Sequence, residues 1–213
     1  MKRLLAPALA AGLLAACAPG LSVPDGMDVP TGHRTDVAGL PYVAGAFSAG
    51  IQISDTHLLT VAHSNWPSTM EVSQRFDARL VRVTGDPSPV GPRPLVGDLV
   101  TLFGSGPHGQ PRYARGIVAF ARMWACHGAL VPNIHTTPGV CTRSGRGYIY
   151  GFGVIAEIGP GFSGGGVYDD RNRVVGMIQS VGLGPATDGT AGVVFVQHMD
   201  DLIAEFGLEA YVQ

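Results

Sequence analysis

No apolar run in this chain goes far before a glycine or a proline interrupts it. The 213 residues include 31 Gly and 16 Pro. Inside a helix, Gly costs about 1 kcal/mol and Pro about 3 kcal/mol relative to Ala. A chain punctuated this densely does not build a helical bundle. It builds short strands joined by turns. The candidates are Val43–Phe47, Ile51–Ser54, Leu58–Ala62, Met70–Phe76, Arg79–Thr84, Leu99–Phe103, Tyr113–Ala121, Tyr148–Ala156, Gly166–Tyr168, Val174–Val181 and Val193–Gln197. Strands this many and this close predict an all-β sandwich or barrel.

Two stretches depart from that pattern. The segment 86–97 carries Pro87, Pro89, Pro92 and Pro94, so it is no central strand and reads as the junction between two halves. The end, His198–Phe206, sets Leu202, Ile203 and Phe206 on one helical face with Asp200, Asp201 and Glu205 elsewhere, which predicts a short C-terminal helix. A hydrophobic content of 46% excludes a disordered chain. A formal charge of −2 gives no basic footprint, so nucleic acid is not an expected partner.

Residues 1–16 read as an address. Lys2 and Arg3 precede the apolar run Leu4–Ala16, which is too short to span a bilayer and has the layout of a secretory signal. Leu14-Ala15-Ala16-Cys17 resembles the bacterial lipobox, which implies lipidation of Cys17 and cleavage just before it. An ordinary signal peptide that happens to contain a Cys is the other reading. With Ala18 rather than Asp after the Cys, the resemblance implies a lipid anchor at the outer membrane, facing the periplasm. The chain from Cys17 onward has 12 Arg, no Lys and 16 carboxylates, a formal charge of −4, so its anchoring would rest on buried methylenes and not on charge. Residues 17–40, rich in Pro, Gly and Asp, read as a tether, leaving 41–213 as the folded domain.

With Cys17 acylated, Cys126 and Cys141 remain. An exported chain permits a disulfide between them, and closing a loop of about 15 residues is worth roughly 3 kcal/mol in the chain-entropy treatment. A metal site from Cys126, His127, His135 and Cys141 fits no familiar zinc spacing, so no metal is expected.

Two windows carry chemistry. Gly161-Phe162-Ser163-Gly164-Gly165-Gly166 can hold a Ser on a tight turn whose backbone N–H groups stabilise an oxyanion; it is equally a Gly-rich turn in which the Ser does nothing. Leu58-Leu59-Thr60-Val61-Ala62-His63 brings a His to the end of an apolar strand, either as a general base or as a structural residue.

Taken together, the windows resemble the chymotrypsin/trypsin-like serine protease superfamily. Leu58–His63 is similar to its "LTAAH" strand, Gly161-x-Ser163-Gly164-Gly165 to its "GxSGG" turn, and Val174–Ser180 to the strand that follows. The separation of 100 residues between His63 and Ser163, and the segments Val96–Gly104 and Arg115–Val118, are similar to the bacterial HtrA-like branch. The resemblance spans about residues 43–206. It implies two six-stranded antiparallel β-barrels with the site in the cleft between them. It also implies a serine endopeptidase that cleaves a protein or peptide substrate without metal or organic cofactor. Ser163 would be the nucleophile, His63 the base, and the Gly161 and Ser163 N–H groups the oxyanion hole.

The third member, an Asp orienting the His, has three candidates. Asp77 begins a stretch whose last four positions resemble the family's "DIALLKL", but only 14 residues after His63. Asp98 lies at the more ordinary separation of 35, yet Val96-Gly97-Asp98 also matches the start of the second barrel, where that Asp is not catalytic. Asp86 precedes Pro87 in a loop. Asp77 is taken first, then Asp98, then Asp86. Phe162 stands where trypsins carry the Asp that pairs with a freed N-terminus, so that activation switch is not expected. Glu157, six residues before Ser163, is either a selector for basic side chains or a surface residue. A trypsin fold that binds without cleaving is the competing class.

Overall fold

The computed structural model describes residues 21–39, 47–64, 69–73, 75–126, 148–182 and 192–212. The glycine and proline punctuation shows as short strands in two groups. The first half contains β2 (His33–Gly39), β3 (Phe47–Ser54), β4 (His57–Thr60), β5 (Thr69–Val72) and β6 (Arg79–Arg82). The second contains β7 (Leu99–Ser105), β8 (Pro111–Cys126), β9 (Tyr148–Ala156), β10 (Gly166–Tyr168), β11 (Val174–Gly182) and β12 (Gly192–His198). A two-residue β1 (Leu21–Ser22) precedes them and α1 (Met199–Glu205) follows.

The second half is a closed barrel of six strands. Its order is β8-β7-β10-β11-β12-β9, and β9 returns to β8. Closure depends on β8, which is 16 residues long. Its first part pairs with β7 and its second with β9, and irregularities at Val118/Phe120 and Phe120/Met123 turn the corner. Leu102, Val118, Phe152, Val154, Val167, Val194 and Val196 fill the interior. Each such side chain is worth about 1.5–3 kcal/mol of burial.

The first half is a sheet of five described strands in the order β2-β3-β4-β6-β5. Alternation along β3 and β4 points Ile51, Ile53 and Leu59 inward, where Val61, Phe76 and Leu80 join them. That cluster continues without a break into Phe103, Tyr168, Met177 and Phe195 of the barrel and into Met199, Leu202 and Phe206 around α1. The two halves therefore share one apolar core across their seam. The all-β architecture with a short C-terminal helix agrees with the sequence reading, and the helix lies one residue inside the predicted His198–Phe206 at each end.

Within the stretch 17–40 expected as a tether, the described residues 21–39 include paired strands. Leu21 and Ser22 pair with Tyr113 and Arg112 of β8, and β2 pairs with β3 from His33↔Ile51 to Gly39↔Phe47. Proline and glycine in that stretch mark turns rather than a linker: Met27 N–H bonds to the Pro24 carbonyl and His33 N–H to that of Pro30 (both 3.1 Å). The strand expected over Met70–Phe76 stops at Val72. The Ser73 hydroxyl accepts the N–H groups of Arg75 (3.0 Å) and Phe76 (2.8 Å), a local turn that competes with the ladder. The candidate Val43–Phe47 lies, apart from Phe47, outside the described residues, and Ile51–Ser54 is the latter half of β3.

Candidate active site

β4 runs buried through Leu58, Leu59 and Thr60, and the chain then turns. Ser64 makes that turn, with its N–H (3.3 Å) and hydroxyl (2.7 Å) both donating to the Val61 carbonyl. The turn spans Val61 to Ser64, so His63 stands beyond the β4 ladder, which ends at Thr60. From the other side, the Ser73 turn delivers Asp77 immediately ahead of β6.

The structure brings His63 and Asp77 together. Asp77 Oδ2 lies 2.6 Å from His63 Nδ1, and Oδ1 accepts the His63 backbone N–H at 3.1 Å. The Asp77 side chain is 1% exposed and that of His63 12%. An ionised carboxylate only accepts hydrogen bonds, so this contact puts the ring proton on Nδ1 and leaves Nε2 bare. Nε2 makes no hydrogen bond to another described residue. Of the other candidates, Asp98 is exposed and accepts the Leu95 N–H at 2.8 Å in the turn before β7. Asp86 is exposed in the segment after β6. Neither is shown against His63.

Ser163 sits in a turn that the backbone builds. Phe162 N–H bonds to the Gly159 carbonyl (3.2 Å), Gly165 N–H to that of Phe162 (2.9 Å), and Ser105 N–H to that of Gly161 (2.8 Å). Gly164 requires the absence of a side chain twice over. Its φ is +81°, and a Cβ there would lie 2.2 Å from the Ala49 carbonyl oxygen and 2.5 Å from Thr60 Oγ1. Phe162, buried at 1% exposure, anchors the turn against Gly104. Among the described residues, neither the Gly161 N–H nor the Ser163 N–H donates to a backbone carbonyl. These are the two donors assigned to an oxyanion by sequence.

The Ser163 turn is seated on the first half of the molecule. Ala49 N–H donates to the Ser163 carbonyl (3.0 Å), and Thr60 Oγ1 donates to the Ala49 carbonyl (2.7 Å), three residues before His63. Gln179 of β11 reaches across the seam to the Asp77 carbonyl at 3.4 Å. The Ser163 hydroxyl is partly exposed and makes no hydrogen bond to another described residue. Sequence reasoning passed over three residues here. Gln179 ties the halves together, Thr60 holds the Ala49 carbonyl beneath the Ser163 turn, and Arg79 donates to the Ala62 carbonyl (2.8 Å) and to Thr69 Oγ1 (2.7 Å). Burial lowers the pKa of Arg79, and the nearby Asp77 charge pulls the other way. The signal available was the alternation of Asp77 and Arg79, which sets both on one face of an extended segment.

The remaining assignments are placed as follows. Glu157 is exposed just beyond β9. Cys126 ends β8, while Cys17, His127, His135 and Cys141 lie outside the described residues. Among the described residues no cluster of three or more His, Cys, Asp and Glu is arranged to hold a metal, and no helix is long and apolar enough to cross a membrane.

No protein-family model and no curated protein matches the chain. Solved structures do match. The active form of the Rv3671c protease of M. tuberculosis superposes with a TM-score of 0.58 at 16% identity, over 100% of this chain and 94% of that one. The MamO protease domain of Magnetospirillum magneticum gives 0.56 at 16% identity, over 83% and 96%. The HtrA-type protease AlgW, solved with a decapeptide, gives 0.51 at 15% identity, over 77% and 52%. The fold is therefore chymotrypsin/trypsin-like and related to that of the HtrA-type proteases.

Proposed function

We propose that the protein is a serine endopeptidase that hydrolyses peptide bonds through an acyl-enzyme on Ser163. The observation that carries this reading is the buried Asp77 carboxylate bound to both the backbone N–H and the Nδ1 of His63. A carboxylate there costs desolvation, and its return is an imidazole held in one tautomer with Nε2 turned to accept a proton. Ser163 Oγ attacks the peptide carbonyl carbon while Nε2 takes its proton. The Gly161 and Ser163 N–H groups receive the oxyanion. The imidazolium then protonates the leaving amine, and water, activated by the same nitrogen, releases the acid. Protein or peptide is the proposed substrate, in keeping with the decapeptide held by AlgW.

Labelling with a fluorophosphonate tests the nucleophile. The wild type is expected to label and Ser163→Ala to lose both labelling and peptidase activity, whereas equal labelling of the two rejects Ser163. The free Ser163 hydroxyl favours a second reading, a trypsin fold that binds peptide without cutting it. Catalytic hydrogen bonds are often loose before substrate arrives. Under the second reading the wild type stays unlabelled and still binds peptide.

The proposed location is the bacterial envelope, with Cys17 acylated, the anchor in the outer membrane and the domain facing the periplasm. It rests on the leader and the lipobox resemblance. Incorporation of labelled palmitate by the wild type and not by Cys17→Ala is the expected result. Incorporation by both removes Cys17 as the anchor.

A further inference from the structure

We infer that Asp77 and Arg79 form one clamp on the peptide group that carries His63, and that Arg79 is a positioning residue for the hydrolysis proposed above. The Ala62–His63 peptide group is held at both ends. Its N–H donates to Asp77 Oδ1 at 3.1 Å, and its carbonyl accepts from Arg79 Nη2 at 2.8 Å. Both grips come from one short segment, because the two residues stand two apart. The second arm of the guanidinium, Nη1, is fixed on Thr69 Oγ1 of β5 at 2.7 Å. A planar fork can meet two acceptors set apart in this way, and an ammonium on a flexible stem meets them poorly.

The clamp suits its place. His63 follows the end of β4, where the ladder no longer fixes the backbone. A peptide group free to rock there would swing the imidazole away from Ser163. Gripping it at both ends, with Asp77 Oδ2 on Nδ1, leaves the ring no rotation that keeps its hydrogen bond. A displacement of about 1 Å at a reacting group can cost about 100-fold in rate.

The clamp also has an electrostatic cost. The Arg79 cation lies close enough to Asp77 for their charges to interact. It favours the carboxylate and opposes the imidazolium that forms when Ser163 gives up its proton. Among the described residues, the other charged groups on neighbouring elements have partners or exposure of their own. Glu71 of β5 is exposed, Arg75 is exposed and lies over the Phe76 ring, and Glu205 accepts from the Ser73 hydroxyl. From the barrel side, the Ser163 turn and Gln179 bring no charge.

Three variants of the full chain separate grip from charge: Arg79→Met removes both, Arg79→Gln removes the charge and keeps a donor, and Arg79→Lys keeps the charge and loses the fork. Two readouts are used: hydrogen exchange of the His63 backbone N–H, which requires no turnover, and the pH profile of fluorophosphonate labelling. Loosening the grip should speed that exchange severalfold in Arg79→Met and Arg79→Lys, and less in Arg79→Gln, which keeps a donor for the Ala62 carbonyl. The acid limb of labelling should move to higher pH in Arg79→Met and Arg79→Gln, where the cation that opposes the imidazolium is gone, and stay in place in Arg79→Lys. The maximal labelling rate should fall at least about tenfold in Arg79→Met and severalfold in Arg79→Lys, with KM for peptide changed less than about twofold. Folded Arg79→Met or Arg79→Gln with unchanged His63 exchange and an unchanged labelling profile overturns the clamp. Should Arg79→Met not fold, Arg79→Gln and Arg79→Lys still decide it. A wild type that does not label sinks the hydrolase reading alone, and the exchange of the His63 N–H still reads the clamp.

Discussion

Around Ser163 the backbone bonds to itself, while around His63 side chains bond to the backbone. The Ser163 turn is held by Phe162→Gly159, Gly165→Phe162, Ser105→Gly161, Gly164→Ile178 and Ala49→Ser163, all N–H to carbonyl. The His63 loop is held by the Ser64 hydroxyl, the Asp77 carboxylate and the Arg79 guanidinium. Strand length accounts for the difference. Closed barrel strands reach 16 residues and bring dense backbone ladders up to the Ser163 turn. In the first half β4, β5 and β6 have four residues each, so the ladder ends early and polar side chains continue its work. A site assembled from both has one partner defined by shape and one defined by charge and hydrogen bonding.

Gly164→Ala breaks the shape-defined side. The added methyl meets the Ala49 carbonyl oxygen at 2.2 Å on a backbone with φ of +81°. Backbone cannot yield there as a flexible side-chain tip would, because Ala49 is itself held by Thr60 and Ser163. The expected loss is about 3–5 kcal/mol of stability, read by chemical denaturation, with labelling of Ser163 abolished in whatever remains folded. A variant that keeps wild-type stability and labelling would show that the turn has slack, and the contrast between the two halves would disappear.

Sequence made the shape-defined side easy to read. Glycine spacing around Ser163 reports the backbone directly. The charge-defined side was harder. Three carboxylates competed for one role, and only the Ser73 turn, which brings Asp77 back to His63 after 14 residues, distinguishes them in space. Arg79 was passed over because the matched family pattern lies in the last four positions of its stretch, and Arg79 stands just outside them. Residues 21–39 were misread for a related reason. Proline and glycine mark a flexible tether and a series of tight turns with the same composition, and only the pairing of β1 and β2 with distant strands tells them apart.

His33 gives a smaller and sharper test of the same contrast, because it staples the first half to the barrel with a titratable side chain. It begins β2, stacks on Phe103 at 5.6 Å, and its Nε2 lies 3.3 Å from the Gly104 carbonyl. Burial pushes its pKa down from 6.5 to about 4, against the pull of that carbonyl. The unfolded chain therefore takes a proton near pH 6.5, while the folded one resists until about pH 4. The contribution to stability is whole above pH 6.5 and is lost as the pH falls towards 4. Between pH 7.5 and 4.5 it amounts to roughly 2–3 kcal/mol. Urea denaturation at the two pH values should show the wild type losing that much more than His33→Gln, which keeps a donor for the Gly104 carbonyl. Hydrogen exchange should place the early opening in β2 and leave the barrel strands protected. Equal acid sensitivity in the two proteins would mean that His33 adds no titratable staple to the seam.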